Sequence, residues 1–219
     1  MRIFPEKYEE LDIDKFDKQL MATVKKLYRD NEIATFMLSC NPSKTQDGIV
    51  DILITDYGVL CIKVLGNIKQ EDLMPRLFER QVQQKQELQI ICDRMKLQKM
   101  LISGNELKYS VRIVSVFPLC KKPDLIDNSA MKEFNTFVEN DCYFDDFFSK
   151  AMREKSFIDR MLIYKNKNQI TETVLPDIVN RLTPEYTIPQ RKAAISNVKK
   201  DNTPKKLIDQ DVTIDDRAV

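Results

Sequence analysis

An acid and a lysine stand on two neighbouring β-prone stretches near the middle of the chain. Asp51 lies in the apolar run 49–55 and Lys63 in the apolar run 59–64, with Asp-Tyr-Gly between the two runs. Two such runs joined by a short turn containing glycine predict a β-hairpin. A carboxylate can bind a hard metal ion, and a lysine can stabilise negative charge. The alternative is an ordinary surface strand pair in which opposite charges face each other.

The composition narrows the chemistry that this hairpin could support. The chain has no histidine, which excludes a Ser-His-Asp triad, a Cys-His dyad and an HExxH zinc site. Its four glycines form neither a phosphate-binding P-loop nor a GxGxxG motif. Any catalysis must therefore use carboxylates, lysines, tyrosines, cysteines, or a hard metal held by oxygen ligands.

The elements that would position Asp51 and Lys63 follow an α/β order. Apolar residues at helical spacing predict a first helix over 13–28, and β-prone runs predict strands over 33–38, 49–55 and 59–64. A Gln-, Glu- and Lys-rich stretch predicts a long helix over about 70–100, and YSVRIVSVF predicts a buried strand over 109–117. A last helix is predicted over 171–182, and the three proline residues beyond 183 favour a linker or an arm.

Bulk properties predict a cytoplasmic protein that does not enter a membrane. The 219 residues are 42% hydrophobic, enough for one sizeable core, and the formal net charge is only +1. No apolar run reaches the roughly 20 residues that a membrane helix needs. The five cysteines are widely spaced and contain no CxxC pair, so we expect most of them to be buried thiols.

The order of these elements resembles a known family. The first helix, the hairpin GIVDILITDYGVLCIKVLG, the long Gln-rich helix and the strand YSVRIVSVFP together resemble the nuclease-related domain (NERD), a relative of the PD-(D/E)XK nucleases. The segment 179–189 (VNRLTPEYTIP) is similar to the one that joins such domains to UvrD-like superfamily 1 helicases. The resemblance implies a PD-(D/E)XK nuclease-like sandwich, in which helices flank a central mixed sheet, with a helical C-terminal extension.

The resemblance also implies positions for a nuclease site. In the family, an Asp on one strand and Glu-x-Lys on the next hold Mg²⁺ and stabilise charge on the phosphate. Asp51 matches the strand aspartate, and Asp17 stands where the family has a helical glutamate. The family's helical glutamine falls near Gln81, although Arg80 is an equally good match.

Two substitutions in the second strand predict a decayed site. Lys63 replaces the metal-binding glutamate and Leu65 replaces the catalytic lysine. An ammonium group at a metal ligand's position repels Mg²⁺ and can form an ion pair with Asp51, and a leucine cannot activate water. No cofactor is then expected. The alternative is a Mg²⁺- or Mn²⁺-dependent DNA nuclease with a rearranged site, in which Asp51 still binds metal. A neighbouring side chain would then supply the missing acid or lysine, and the candidates are Lys69, Glu71, Glu79 and Lys85.

Partners follow from the same resemblance and from local charge. We expect residues 1–186 to form the NERD-like domain and 187–219 a tail leading towards a helicase region, present in cis or in trans. Lys85, Lys121 and Lys122 are candidate DNA contacts, although such side chains are also common on solvated surfaces. The run YFDDFF offers Asp145 and Asp146 as a metal pair, or its aromatic residues as a core anchor or a protein-binding surface. A third possible function is therefore a protein-interaction module.

Overall fold

A computed structural model describes residues 1–6, 13–44, 47–163 and 167–182. The chain separates into two units, Met1–Pro184 and Glu185–Val219, and every described residue belongs to the first. The predicted tail therefore lies outside the described residues. None of the helices in the described part of the chain combines the length and the apolar character that a membrane span requires.

A six-stranded mixed sheet forms the centre of the described unit. Its order is β1-β2-β3-β4-β7-β8, where the strands are β1 (Arg2–Phe4), β2 (Thr35–Cys40), β3 (Val50–Thr55), β4 (Gly58–Val64), β7 (Ser110–Val116) and β8 (Cys142–Tyr143). The pairs β2/β3 and β3/β4 are antiparallel, whereas β1/β2, β4/β7 and β7/β8 are parallel. The two remaining strands, β5 (Ile102–Ser103) and β6 (Glu106–Leu107), form a separate small hairpin.

Helices cover both faces of this sheet. They are α1 (Lys15–Leu27), α2 (Leu73–Lys96), α3 (Lys132–Asp141), α4 (Phe147–Arg153), α5 (Lys155–Leu162) and α6 (Leu175–Leu182). Helices α1, α4 and α5 share one hydrophobic cluster with alternate residues of the strands, including Leu53, Ile62 and Val114. The long helix α2 contacts β7 on the other face, where Arg80 and Gln84 bond to Ser115 and Ile113.

Local sequence signals explain where the central elements begin. The Asp14 carboxylate accepts a hydrogen bond from the Phe16 N–H and caps α1, so the helix starts at Lys15, two residues later than predicted. Pro75 is the third residue of α2, where a missing N–H costs no helical hydrogen bond. Gly58 has a φ of +150°, and a Cβ there would lie 2.5 Å from the Ser110 carbonyl oxygen, so this turn needs glycine.

The prediction of an α/β fold with helices flanking a mixed central sheet is confirmed. The predicted strands and long helix all occur, with shifted ends. The edge strands β1 and β8 were not predicted, because runs of two or three residues carry no periodicity. Four of the five free cysteines are buried, and Cys92 is partly exposed. Phe144, Phe147 and Phe148 of YFDDFF are buried in the core, so these rings anchor the fold.

Candidate functional site

Asp51 is a buried acid in the middle of the sheet. Its side chain is 4% exposed, and its Oδ1 accepts a hydrogen bond of 2.8 Å from the Ser39 N–H. Its Oδ2 is buried and has no hydrogen-bond partner among the described residues. A buried carboxylate that is only half satisfied is costly, because its charge has lost water without gaining enough donors.

The predicted ion pair between Asp51 and Lys63 is wrong. The residue directly opposite Asp51 on β4 is Ile62, not Lys63. Because successive side chains of a strand point to opposite faces, Asp51 lies on the face covered by α1 and Lys63 on the face covered by α2. An offset of one residue in the hairpin is enough to separate the two charges in this way.

The structure does bring Asp17 and Asp51 together. Burial raises the pKa of Asp51 to about 7, and the charge of Asp17 adds to the increase, whereas the Ser39 N–H opposes it. Burial also raises the pKa of Asp17 to about 6, with a smaller contribution from Asp14. The two carboxyls therefore bind protons more strongly than ordinary aspartates, as expected for acids that share a poorly solvated site.

This acid pair has no lysine and no third ligand beside it among the described residues. On the same face of β4, the residues opposite and next to Asp51 are Ile62 and Val64. In the part of the chain that the structure describes, no group of three or more His, Cys, Asp or Glu side chains could hold a metal ion. Two such carboxyls can share a proton, but no lysine beside them among the described residues would stabilise negative charge on a phosphate.

A buried polar network occupies the opposite face of the sheet. Arg80 of α2 is 2% exposed, and it donates from Nε to Ser115 Oγ at 2.8 Å and from Nη2 to Glu87 at 2.6 Å. Ser115 donates to Gln84 Oε1 at 2.8 Å, and Gln84 donates from Nε2 to the Ile113 carbonyl at 2.9 Å. The network ties α2 to β7 through these hydrogen bonds, although the buried Nη1 of Arg80 has no partner among the described residues.

Sequence reasoning missed this network. From the sequence, the Gln-, Glu- and Lys-rich helix offered Gln81 as a remnant of the family site and Lys85 as a candidate DNA contact. In the structure Gln84 is buried, Gln81 is half-buried and Lys85 is exposed. A signal was present, because Arg80, Gln84 and Glu87 recur at helical spacing in register with the buried Leu77 and Ile91.

None of the candidate DNA contacts is among the charges that act on the pKa values of Asp17 and Asp51. Lys85 forms an ion pair with Glu133 of α3, which lowers its availability for a phosphate. Lys121 and Lys122 are exposed in the loop after β7. Gln70 fixes this loop, since its Oε1 accepts from the Lys121 N–H at 2.7 Å.

The side chains suggested as replacements in a rearranged site have other partners. Glu79 binds Arg76 at 2.7 Å, and Lys69 lies 3.9 Å from Glu71. The exposed Asp145 and Asp146 of YFDDFF do not form a metal pair with a third ligand among the described residues, and Asp146 pairs with Lys150. None of these groups is among the charges that act on the pKa of Asp51.

Comparisons with known proteins give no assignment. No family model, no curated protein and no solved structure matches this chain. The resemblance to the nuclease-related domain therefore rests on the residues and motifs of this chain alone.

Proposed function

We propose that this chain is a nuclease-related accessory domain of a DNA helicase or helicase-like system, that it is catalytically inert, and that it positions DNA or docks the motor. The proposal takes the fold to be of the PD-(D/E)XK type. The succession α1, β2, β3, β4, α2 and β7 supports this, because the family resemblance implies a helix, a strand hairpin that carries the acid, a long helix and a further strand.

The observation that carries the inert assignment is the environment of Asp51. Asp17 and Asp51 supply two acids on one face of the sheet, but the strand beside them presents Ile62 and Val64 to that face. A metal-dependent nuclease needs at least one further oxygen ligand and a cation there. In this proposal Lys63 and Gln81 are remnants of the family pattern that no longer act on Asp51.

DNA and a helicase are the proposed partners. Lys121 and Lys122 are exposed cations that a phosphate backbone could contact, and Lys85 would join them if DNA displaced Glu133. The helicase association rests on the segment 179–189, which is similar to the one that joins nuclease-related domains to UvrD-like helicases. Residues 183–189 of this segment lie outside the described residues. Lysines contacting phosphates give affinity without sequence preference.

Two observations favour a second function, a Mg²⁺- or Mn²⁺-dependent nuclease. The charge of Asp17 acts on the carboxyl of Asp51, and the Asp51 Oδ2 lacks a partner among the described residues, as a metal ligand would before the metal binds. The pure protein-interaction module gains less support, because most aromatic rings of YFDDFF are buried. The proposed tail of such a module lies outside the described residues.

Cleavage assays separate the two leading functions. Single- and double-stranded DNA is incubated with the full chain in Mg²⁺ and in Mn²⁺, beside Asp51→Asn and the exposed control Asp124→Asn. The inert domain leaves DNA intact in all samples. Cutting that persists in Asp124→Asn and disappears in Asp51→Asn would instead establish the nuclease.

DNA binding tests the positioning role independently of cleavage. The affinity for a DNA duplex is measured at several salt concentrations for the chain and for the double variant Lys121→Ala/Lys122→Ala. Each lost phosphate contact should reduce the slope of log K against log salt by about 1. A chain that fails to bind DNA at low salt contradicts the proposal, and so does an unchanged slope in a variant that binds more weakly.

A further inference from the structure

A polar cavity lies between β4 and the first half of α2, on the face of the sheet opposite Asp51. It has a volume of about 230 Å³, and its nine lining residues include Lys63 of β4, Arg76, Glu79 and Arg80 of α2, and Asp47 and Asn67. Three of the nine lining residues carry cationic side chains. No residue of the Asp17 and Asp51 pair lines this cavity.

Arg80 brings an unused hydrogen-bond donor to this region. Its Nε and Nη2 are bound to Ser115 and Glu87, but its Nη1 is buried and has no partner among the described residues. The residue is 2% exposed, so bulk water does not satisfy the remaining N–H groups. A buried guanidinium donor without an acceptor costs free energy, and an anion that entered from the adjoining cavity and reached Nη1 would remove that cost.

Lys63 places a second cation at the same cavity. Its side chain is half-buried and makes no salt bridge or hydrogen bond with the described residues. Burial lowers the pKa of Lys63, and the neighbouring charge of Arg80 lowers it further, whereas Glu87 and Asp47 act in the opposite direction. Two cations that repel each other across a cavity form a site in which an anion is stabilised by both.

We propose that this cavity binds a phosphate oxyanion, which accepts hydrogen bonds from Arg80 Nη1 and Lys63 Nζ. Arginine presents a fixed planar donor and lysine a mobile one, a combination that suits a tetrahedral oxyanion. Two nearby carboxylates already form ion pairs, since Glu87 binds Arg80 and Glu79 binds Arg76. Asp47 is the remaining carboxylate of the lining, and its repulsion limits the affinity.

The binding test uses inorganic phosphate with the full chain, followed by calorimetry at constant ionic strength adjusted with chloride. Lys63→Met removes one donor and should weaken binding at least tenfold. Asp47→Asn removes the opposing carboxylate and should tighten binding several-fold. Lys99→Met is the matched control, because it removes an exposed lysine that does not line the cavity, and it should leave the affinity unchanged.

The variants with opposite expected effects keep the test decisive. Loss of binding in Lys63→Met through misfolding would be detected by circular dichroism, and the tightening in Asp47→Asn cannot arise from misfolding. The absence of saturable phosphate binding in the unmodified chain would overturn the proposal, since water alone would then fill the cavity. Equal affinities in Lys63→Met and Lys99→Met would overturn it as well.

A second pair of titrations identifies the source of the phosphate. A short DNA strand with a 5′-phosphate is compared with the same strand lacking it, using the unmodified chain and Lys63→Met. Added affinity from the 5′-phosphate that disappears in Lys63→Met assigns the site to a nucleic-acid end. Binding of inorganic phosphate without this added affinity assigns it to a free small phosphate. The result is independent of the proposed DNA contacts of Lys121 and Lys122.

Discussion

The buried acid of β3 should make the stability of this fold fall as pH rises. The pKa of Asp51 is raised from 3.8 to about 7, first by burial and then by Asp17. The folded protein therefore holds a proton that the unfolded chain has released, over the range from about pH 4 to about pH 7. The stabilisation is fully present below this range and is lost as pH rises through 7. Asp51→Asn removes the titrating group and should remove this part of the pH dependence.

The size of the effect follows from the raised pKa. One pKa unit corresponds to about 1.4 kcal/mol, and about two units of the shift lie above pH 5. The titration of Asp51 should therefore lower the free energy of unfolding by roughly 2–3 kcal/mol between pH 5 and pH 8. Asparagine keeps an oxygen that can accept from the Ser39 N–H, which preserves the hydrogen bond of 2.8 Å. The variant should therefore gain stability relative to the unmodified chain as pH increases.

Urea unfolding followed by far-ultraviolet circular dichroism at pH 5, 6, 7 and 8 measures this dependence. The chain has no histidine, so the usual source of stability changes in this range is missing. Asp124→Asn is the control, because it neutralises an exposed acid and should follow the unmodified chain. Equal changes in unfolding free energy for Asp51→Asn and the unmodified chain between pH 5 and pH 8 would refute the reasoning.

Three further experiments test other parts of the structure. Arg80→Met leaves Glu87 buried without its partner and should lower the free energy of unfolding in urea by about 3–5 kcal/mol. Adding Glu87→Met should recover much of this loss. A double variant as unstable as the single one contradicts the argument. Gly58→Ala should lower stability by about 1–3 kcal/mol, because the added Cβ meets a carbonyl of β7. Gly104→Ala should cost less, because Gly104 has open space around it. The reverse order in thermal melts would be inconsistent with the close approach of Gly58 to Ser110. In the native protein a thiol reagent should modify Cys92 first and the four buried thiols only on unfolding, so rapid labelling that survives Cys92→Ala would contradict the burial pattern.

Local signals in the sequence determined the class of fold. The period of apolar residues fixed the first helix, the β-prone runs fixed the hairpin and the strand β7, and the lack of glycine between 67 and 103 allowed the long helix α2. The absence of histidine limited the possible chemistry through composition alone. These features depend on residues close together in the chain, so periodicity and composition reveal them.

Tertiary structure alone decided which charged groups meet. The hairpin register places Asp51 opposite Ile62, and the one-residue offset sends Lys63 to the other face of the sheet. Composition contains no information about this register, because shifting a strand by one residue changes the face of every side chain without changing the pattern of the run. The pairing of Asp51 with Asp17, and of Lys63 with the Arg80 cavity, depends on how α1 and α2 pack on opposite faces. These are contacts between distant parts of the chain, and only the packed sheet determines them.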